Sequence, residues 1–276
     1  MEFDCHVHLD YDADVDAYAA GMRKRRMRAG VSSCGAFFNQ PGNDAVEAAL
    51  KKHPDVIVGF GYVALGRGGT AKTVERLYRR GFRALKFIIP KKDYDDRSYY
   101  PIYAAAEERG MSCLFHTGVM ARPESHMRFS PRCPAVDFAA MDVSCRRMDP
   151  MCLDTIARAF PKLNVILAHF GSTGRRDYAA GILSWNPNVY GDVTPLVWAW
   201  TPAQMTRQVR TMKDLLTPGV AKKLVFGTDN IVSRGVKFMP KMRGTFLRFL
   251  AACGVKKAMR DMIMGGTMNA MLGREP

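Results

Sequence analysis

No run of apolar residues in this 276-residue chain approaches the ~20 that a membrane-crossing helix requires, although 47% of its residues are apolar. A membrane partner is therefore not expected, and the apolar content suffices for a sizeable core. No charged and then apolar leader precedes the first strand-like stretch at Phe3, so none is expected. The seven cysteines, at 5, 34, 113, 133, 145, 152 and 253, are odd in number and form no C-x-x-C pair. That argues against a disulfide framework or a zinc knuckle and for free thiols in a reducing cytoplasm. Acidic residues are scarce, 26 against 41 lysines and arginines, for a net charge of +15. The basic residues come as scattered doublets such as Arg79-Arg80, Lys91-Lys92 and Arg146-Arg147, not as one stripe. They read first as solvated surface, next as attraction for an anionic substrate, and last as nucleic-acid contact. Internal repeats, low-complexity tracts and linkers are missing as well. The glycine-rich Gly66-Arg67-Gly68-Gly69 lacks the Lys-Ser/Thr ending of a phosphate-binding loop.

What is present is an alternation. Strand-like runs at 3–9, 32–38, 56–63, 82–88, 111–116, 164–170, 188–194 and 223–229 are followed by helix-like periodicity. The helices fall at 14–29, 43–53, 70–80, 98–109, 151–160, 176–184, 202–216 and 240–252, with a last helical segment at 256–272. Thr70 and Ser98 supply starts, and Gly81 and Gly110 supply stops. Eight strands, each followed by a helix, imply parallel strands in an α/β fold. The reading closes as a (β/α)8 TIM barrel, one domain over 1–276, with a doubly wound open sheet as the alternative. The stretch from about 119 to 150 has several prolines, mixed charge and no period, which marks a lid-like loop.

The chemistry sits at strand ends. In Phe3-Asp4-Cys5-His6-Val7-His8-Leu9 the period of two points His6 and His8 the same way, and Cys5 the other way toward helices. Asp4 shares the His6 face, where it could anchor a ligand residue. His116 closes Cys113-Leu114-Phe115-His116, His169 closes Val165-Ile166-Leu167-Ala168-His169, and Asp229 closes Leu224-Val225-Phe226-Gly227-Thr228-Asp229. A barrel gathers strand ends at one face, where its active site lies. Imidazoles and a carboxylate gathered there form a first shell for zinc or a similar divalent ion.

With these motifs in order, the chain resembles the amidohydrolase superfamily, and more narrowly the amidohydrolase-2 branch. That branch holds aminocarboxymuconate semialdehyde decarboxylase-like and pyrone dicarboxylate lactonase-like enzymes. The tail Gly265-Gly266-Thr267-Met268-Asn269-Ala270 is similar to its closing helix. The resemblance implies that His6, His8, His116 and Asp229 bind one ion, zinc first and manganese second, with His169 beside it. Asp229 and His169 would be the catalytic pair: Asp229 takes a proton from metal-activated water and passes it to the leaving group. TatD-type deoxyribonucleases also begin with His-x-His, but usually carry a glutamate on the fourth strand, where this chain has Phe82-Arg83-Ala84-Leu85-Lys86-Phe87.

Lys86 keeps three readings: a carbamylated bridge to a second metal with His169 as a further ligand, a substrate contact, or a structural lysine. Arg122 and Arg128 on the lid, with His126, Arg132, Arg146 and Arg147 nearby, could clamp a substrate carboxylate. Asn39, Gln40 and Asp192 at strand ends, and Trp185, Trp198 and Trp200, are candidates to line the pocket, with core packing as the alternative for the tryptophans. His53 reads as structural. The expected activity is hydrolysis of an amide, ester or lactone of a small carboxylated or cyclic compound. A metal-dependent decarboxylase of the same fold is the alternative, and a non-catalytic binding barrel is a third reading. The expected partner is a small molecule, and a homodimer is open.

Overall fold

The computed structural model describes residues 1–172, 174–194 and 201–273; Trp198 and Trp200, and the side chain of His126, lie outside the described residues. In chain order the elements are β1 (Glu2–His8), α1 (Val15–Lys24), β2 (Met27–Ser32), α2 (Asn43–Lys52), β3 (Ile57–Tyr62), α3 (Ala71–Arg79), β4 (Ala84–Phe87), α4 (Tyr100–Glu108), β5 (Ser112–Phe115) and the single turn α5 (Pro123–His126). Then come α6 (Met151–Ala159), β6 (Val165–Leu167), α7 (Arg176–Trp185), β7 (Val189–Asp192), α8 (Pro202–Met212), α9 (Pro218–Ala221), β8 (Leu224–Val225), β9 (Asn230–Ile231), α10 (Met239–Ala252), α11 (Lys257–Asp261) and α12 (Thr267–Met271). The strands pair in parallel in the order β8-β7-β6-β5-β4-β3-β2-β1-β9.

That order closes. β8 and β9 stand at opposite ends of it, yet only residues 226–229 separate them on the chain. They are two halves of one broken stave, β8 on β7 and β9 on β1. Across the break the Cys5 amide donates to the Phe226 carbonyl at 2.9 Å, and the Asp229 amide to the His6 carbonyl at 2.8 Å. The result is the (β/α)8 barrel.

Alternation along the strands divides the apolar residues into two layers. Phe3, Cys5, Val58, Phe60, Ala84, Leu114, Ile166 and Val225 fill the barrel, with Met268 of α12 packed among them. The larger cluster, with Val7, Val31, Leu85, Phe87, Phe115, Leu167 and Leu224, lies between sheet and helices. The tail thus plugs the barrel floor: Asn269 donates to the Met1 carbonyl, and a Cβ at Gly265 would lie 2.5 Å from that same oxygen.

Two expectations change. The second strand is Met27–Ser32, not 32–38; residues 36–38 form a 3-10 turn, and α1 stops at Lys24. Arginine and glycine make Met27-Arg28-Ala29-Gly30-Val31-Ser32 look unlike a strand. Tertiary packing overrides that weak preference. All six residues are buried, Arg28 lies over the Phe3 ring, and Phe60 fills the space beside Gly30. Cys5 also departs from the expected alternation. The β1–β2 register shifts between Asp4 and Val7, a bulge that leaves Cys5 in the interior layer and Val7 in the outer one.

A Cβ on Gly30 would come within 2.5 Å of the buried Phe60 ring. Gly30→Ala is expected to destabilise the protein by about 1–3 kcal/mol through overpacking, measured as a lowered urea midpoint; an unchanged midpoint contradicts this packing.

Candidate metal centre

The bulge in β1 matters because it turns His6 inward beside His8. At the other strand ends Leu114 and His116 share the inward face of β5, and Ala84 and Lys86 that of β4. Several residues that carry chemistry also leave ordinary backbone geometry. His169 (φ 62°), Phe170 (φ 45°), Ser172 (φ 62°) and Asp229 (φ 53°) are left-handed without being glycine. Each costs about 1–3 kcal/mol, and such residues persist where surrounding contacts over-determine them. Here the Asp192 carboxylate holds the His169 amide at 3.0 Å, and the His6 carbonyl holds the Asp229 amide.

His6 Nε2, His8 Nε2 and Asp229 Oδ1 form a triangle with edges of 3.2, 3.1 and 3.4 Å. Two donors on one tetrahedral zinc, each at 2.0–2.1 Å, stand about 3.3 Å apart. The triangle therefore fits one face of such a site. Two imidazole lone pairs held 3.2 Å apart repel unless a cation or a proton lies between them. A second gathering, His6 with His169 and Asp192, fits less well. His6 Nδ1 and Asp192 Oδ2 are only 2.7 Å apart, a charge-assisted hydrogen bond and not the spacing of two ligands on one ion. His116 stands outside both gatherings. Its Nδ1 lies 3.0 Å from His169 Nε2, and its Nε2 is buried with no hydrogen-bond partner among the described residues. An orphaned buried nitrogen calls for a partner the protein does not supply. The donor set and this orphan together fit a divalent ion.

Lys86 is fully buried, with Nζ 2.7 Å from His6 Nε2. An ammonium there and a divalent ion compete for one lone pair. Burial pushes the lysine down, against the pull of Cys34, Asp229 and Asp192. Burial also lowers His6, helped by Lys86, to about 4. It lowers His8 too, and it carries His116, together with His169 and Lys86, well below the ordinary imidazole range. The carboxylates go the other way. Burial works to raise Asp192, but its contacts with His6, His169 and Thr194 outweigh this and hold it at about 2. Burial likewise works to raise Asp229, but His6, His8 and His169 outweigh it and hold that carboxyl well below its usual value. The centre thus carries neutral rings and ionised carboxylates, as metal ligands must.

Of the other sequence candidates, Asn39 is spent on the lid: its side chain accepts from the Ser130 amide at 2.9 Å and donates to the Arg128 carbonyl. Asp12 takes Ser130 Oγ and Arg132, and Arg67 binds the carbonyls of Met141 and Asp142, so both arms of the 119–150 segment are clasped. Arg122 and Arg128 are exposed on that segment. Asp4 anchors the seam, not a ring, by accepting from the His6 amide and from Thr228. Trp185 is 81% exposed at the end of α7 and walls nothing. His53 is bonded to Asp16 and Arg23, and all seven cysteines are free. Asp192 is the residue that sequence reasoning undervalued. Its one signal was a carboxylate ending an otherwise apolar strand.

These shifts fix a dependence of stability on pH. A ring whose folded pKa lies below its unfolded value near 6.5 leaves the unfolded chain to bind the extra proton, so stability falls with pH between the two values. For His6, between 6.5 and about 4, the loss is roughly 3 kcal/mol. Asp4 opposes it. Burial, against its hydrogen bonds from Thr228 and the His6 amide, raises that carboxyl from 3.8 to about 7, which adds stability on acidification. Three rings, His6, His8 and His116, stand against one carboxyl. The metal-free protein is expected to lose stability from pH 6.5 toward 4, read as a falling urea midpoint; a rising midpoint contradicts the neutral-ring centre.

Comparison with known proteins agrees with the barrel fold. No curated protein matches the chain in sequence. Among solved structures, a probable 2-pyrone-4,6-dicarboxylic acid hydrolase of Acinetobacter baumannii superposes with a TM-score of 0.67 at 12% identity, over 99% of each chain. An uncharacterized TIM-barrel protein of Bordetella bronchiseptica gives 0.64 at 16%, over 99% of this chain and 100% of that one. The 5-carboxyvanillate decarboxylase of Sphingomonas paucimobilis gives 0.62 at 12%, over 99% of each. At such identities the likeness speaks for the fold. The family model described as Amidohydrolase matches residues 3–274, nearly the whole chain, so the protein belongs to the amidohydrolase family, in its amidohydrolase-2 branch.

Proposed function

We propose that the protein is a metal-dependent hydrolase acting on an amide, ester or lactone of a small carboxylated or cyclic compound. The observation that carries this is the triangle of His6 Nε2, His8 Nε2 and Asp229 Oδ1 at the barrel mouth, with the dimensions of a tetrahedral metal face. These three residues would hold the ion, with His116 Nε2 as the further donor. Zinc suits a nitrogen-rich set with one carboxylate, and manganese is second. When bound, such an ion supplies Lewis acidity that polarises a carbonyl and acidifies water.

The chain's own residues do the rest. Asp229, ionised and turned toward His6 and His8, accepts the proton of the attacking water and returns it to the leaving group. His169, fixed through Thr194 and the Asp192 carboxylate, stands beside the reacting group and holds the His116 ring in place, its Nε2 3.0 Å from His116 Nδ1. The lid excludes water, and Arg122 and Arg128 on it attract a substrate carboxylate. Two similar folds are named for a pyrone dicarboxylic acid and for a carboxyvanillate, both carboxylated rings, which supports that substrate class. The second name also favours decarboxylation as the alternative, with Asp229 and His169 handling the proton that replaces CO2. The site is expected to serve a small molecule, since the described residues include no helix long and apolar enough to cross a membrane and the basic doublets are scattered.

Turnover of carboxylated lactones and arene carboxylates in 18O-labelled water separates the two chemistries: hydrolysis places the label in the organic product, and decarboxylation releases CO2 and leaves the organic product unlabelled. Turnover of neither class with zinc or manganese supplied contradicts both. About one zinc per chain is expected by elemental analysis, lost in His6→Ala and Asp229→Ala. Lys86→Met removes the competing ammonium and is expected to keep that ion and bind it more tightly. A fall from two ions to one in that variant would instead make Lys86 a bridging ligand.

A further inference from the structure

We infer that Asp192 is the positioning residue that sets the tautomers of the imidazole cluster, so that His6 and His116 turn bare Nε2 lone pairs to a cation. This deepens the metal-centre reading and rests on it for its purpose. The argument follows the protons. Asp192 is fully buried and ionised: its Oδ1 accepts from the His169 amide at 3.0 Å, the Thr194 amide at 2.9 Å and Thr194 Oγ1 at 2.6 Å, and its Oδ2, free to accept as well, lies 2.7 Å from His6 Nδ1. Backbone amides only donate, and an ionised carboxylate has no proton to give, so both of its oxygens accept.

Two branches follow. On the first, His6 places its ring proton on Nδ1 toward Asp192 Oδ2. A neutral ring carries one proton, so Nε2 is a lone pair. Its nearest neighbour, Lys86 Nζ at 2.7 Å, is a group that can donate to it. On the second, the Thr194 hydroxyl spends its single proton on Asp192. Its oxygen must therefore accept from His169 Nδ1, 2.9 Å away. His169 Nε2 is then an acceptor, so His116 Nδ1, at 3.0 Å, must donate to it. That leaves His116 Nε2 as a lone pair, and this is the buried atom without a partner among the described residues. One carboxylate on β7 thus fixes a chain of protons reaching three other strand ends.

His8 meets this network only through its Nε2, 3.2 Å from His6 Nε2, while its Nδ1 is held from elsewhere, so its tautomer serves as an internal control. Its Nδ1 is 3.2 Å from Ser32 Oγ, which donates to the Val7 carbonyl. Its tautomer is the same, but set from β2.

The test is long-range 15N–1H NMR of the imidazoles in the metal-free protein, paired with zinc affinity. The wild type is expected to show His6, His8, His116 and His169 protonated on Nδ1. Asp192→Asn replaces one acceptor by a donor and cannot accept on both branches. His6 or His116 is expected to move its proton to Nε2, with zinc affinity falling about 10- to 100-fold, while His8 keeps its tautomer. Thr194→Val cuts only the second branch, so His6 should stay unchanged while His169 and His116 lose their fixed tautomers. If Asp192→Asn does not fold, the wild-type spectrum and Thr194→Val still decide. An Nε2-protonated His6 or His116 in the wild type overturns the inference, as does an Asp192→Asn protein with wild-type tautomers and zinc affinity. A wild type with the stated tautomers but no zinc binding supports this assignment and sinks the metal-centre reading instead.

Discussion

Two main-chain hydrogen bonds across the seam, Cys5 amide to Phe226 carbonyl and Asp229 amide to His6 carbonyl, tie the first strand to the last and so bring residues 6 and 229 together. The broken stave needs them, because its two short halves pair with different neighbours. The seam also fixes the direction of side chains. The β1 bulge turns His6 inward, and Gly227 lets the strands close over it: a Cβ there would sit 3.0 Å from His6 Cβ and 3.2 Å from Cys5 Sγ. Asp4 bonds Thr228 across the same line. Closure of the barrel and assembly of the candidate site are therefore one event.

Such a centre is costly to build. Ionised Asp192 and the Lys86 amine are fully buried, the rings of His6, His8 and His116 are buried or nearly so, and several residues around them hold left-handed backbone. Removing one member of such a network leaves its partner's desolvation uncompensated. The arrangement persists because the two-layer core and the Met268 plug hold it from below and around. The proposed function would draw on the same expense: rings kept neutral by burial would stay free to bind an ion at neutral pH, and a carboxylate kept ionised would stay free to accept a proton.

Much of this was legible in the chain. The strand–helix alternation gave the barrel, and the strand-end placement of His6, His8, His116, His169 and Asp229 pointed to the cluster that the structure brings together, because both depend on local periodicity. What escaped depends on contacts between distant residues. Met27–Ser32 became a strand through Phe3 and Phe60, not through its own composition. The β1 bulge answers to a register with β2 that no local pattern encodes. Asp192 looked like one more polar strand end, since its weight comes from His6, 186 residues away. Asn39 looked like a pocket residue because its lid partners, Arg128 and Ser130, are visible only in three dimensions. Lys86 keeps three readings in the sequence, and its contact with His6 Nε2 is visible only in three dimensions.

The central claim is that His6, His8 and Asp229 form a metal face. It is tested most directly by anomalous diffraction at the zinc edge from crystals grown with zinc. The account predicts one peak per chain, about 2.0–2.1 Å from both His6 Nε2 and His8 Nε2 and in contact with Asp229 Oδ1. No peak there, with Lys86 Nζ still bonded to His6 Nε2, would contradict it.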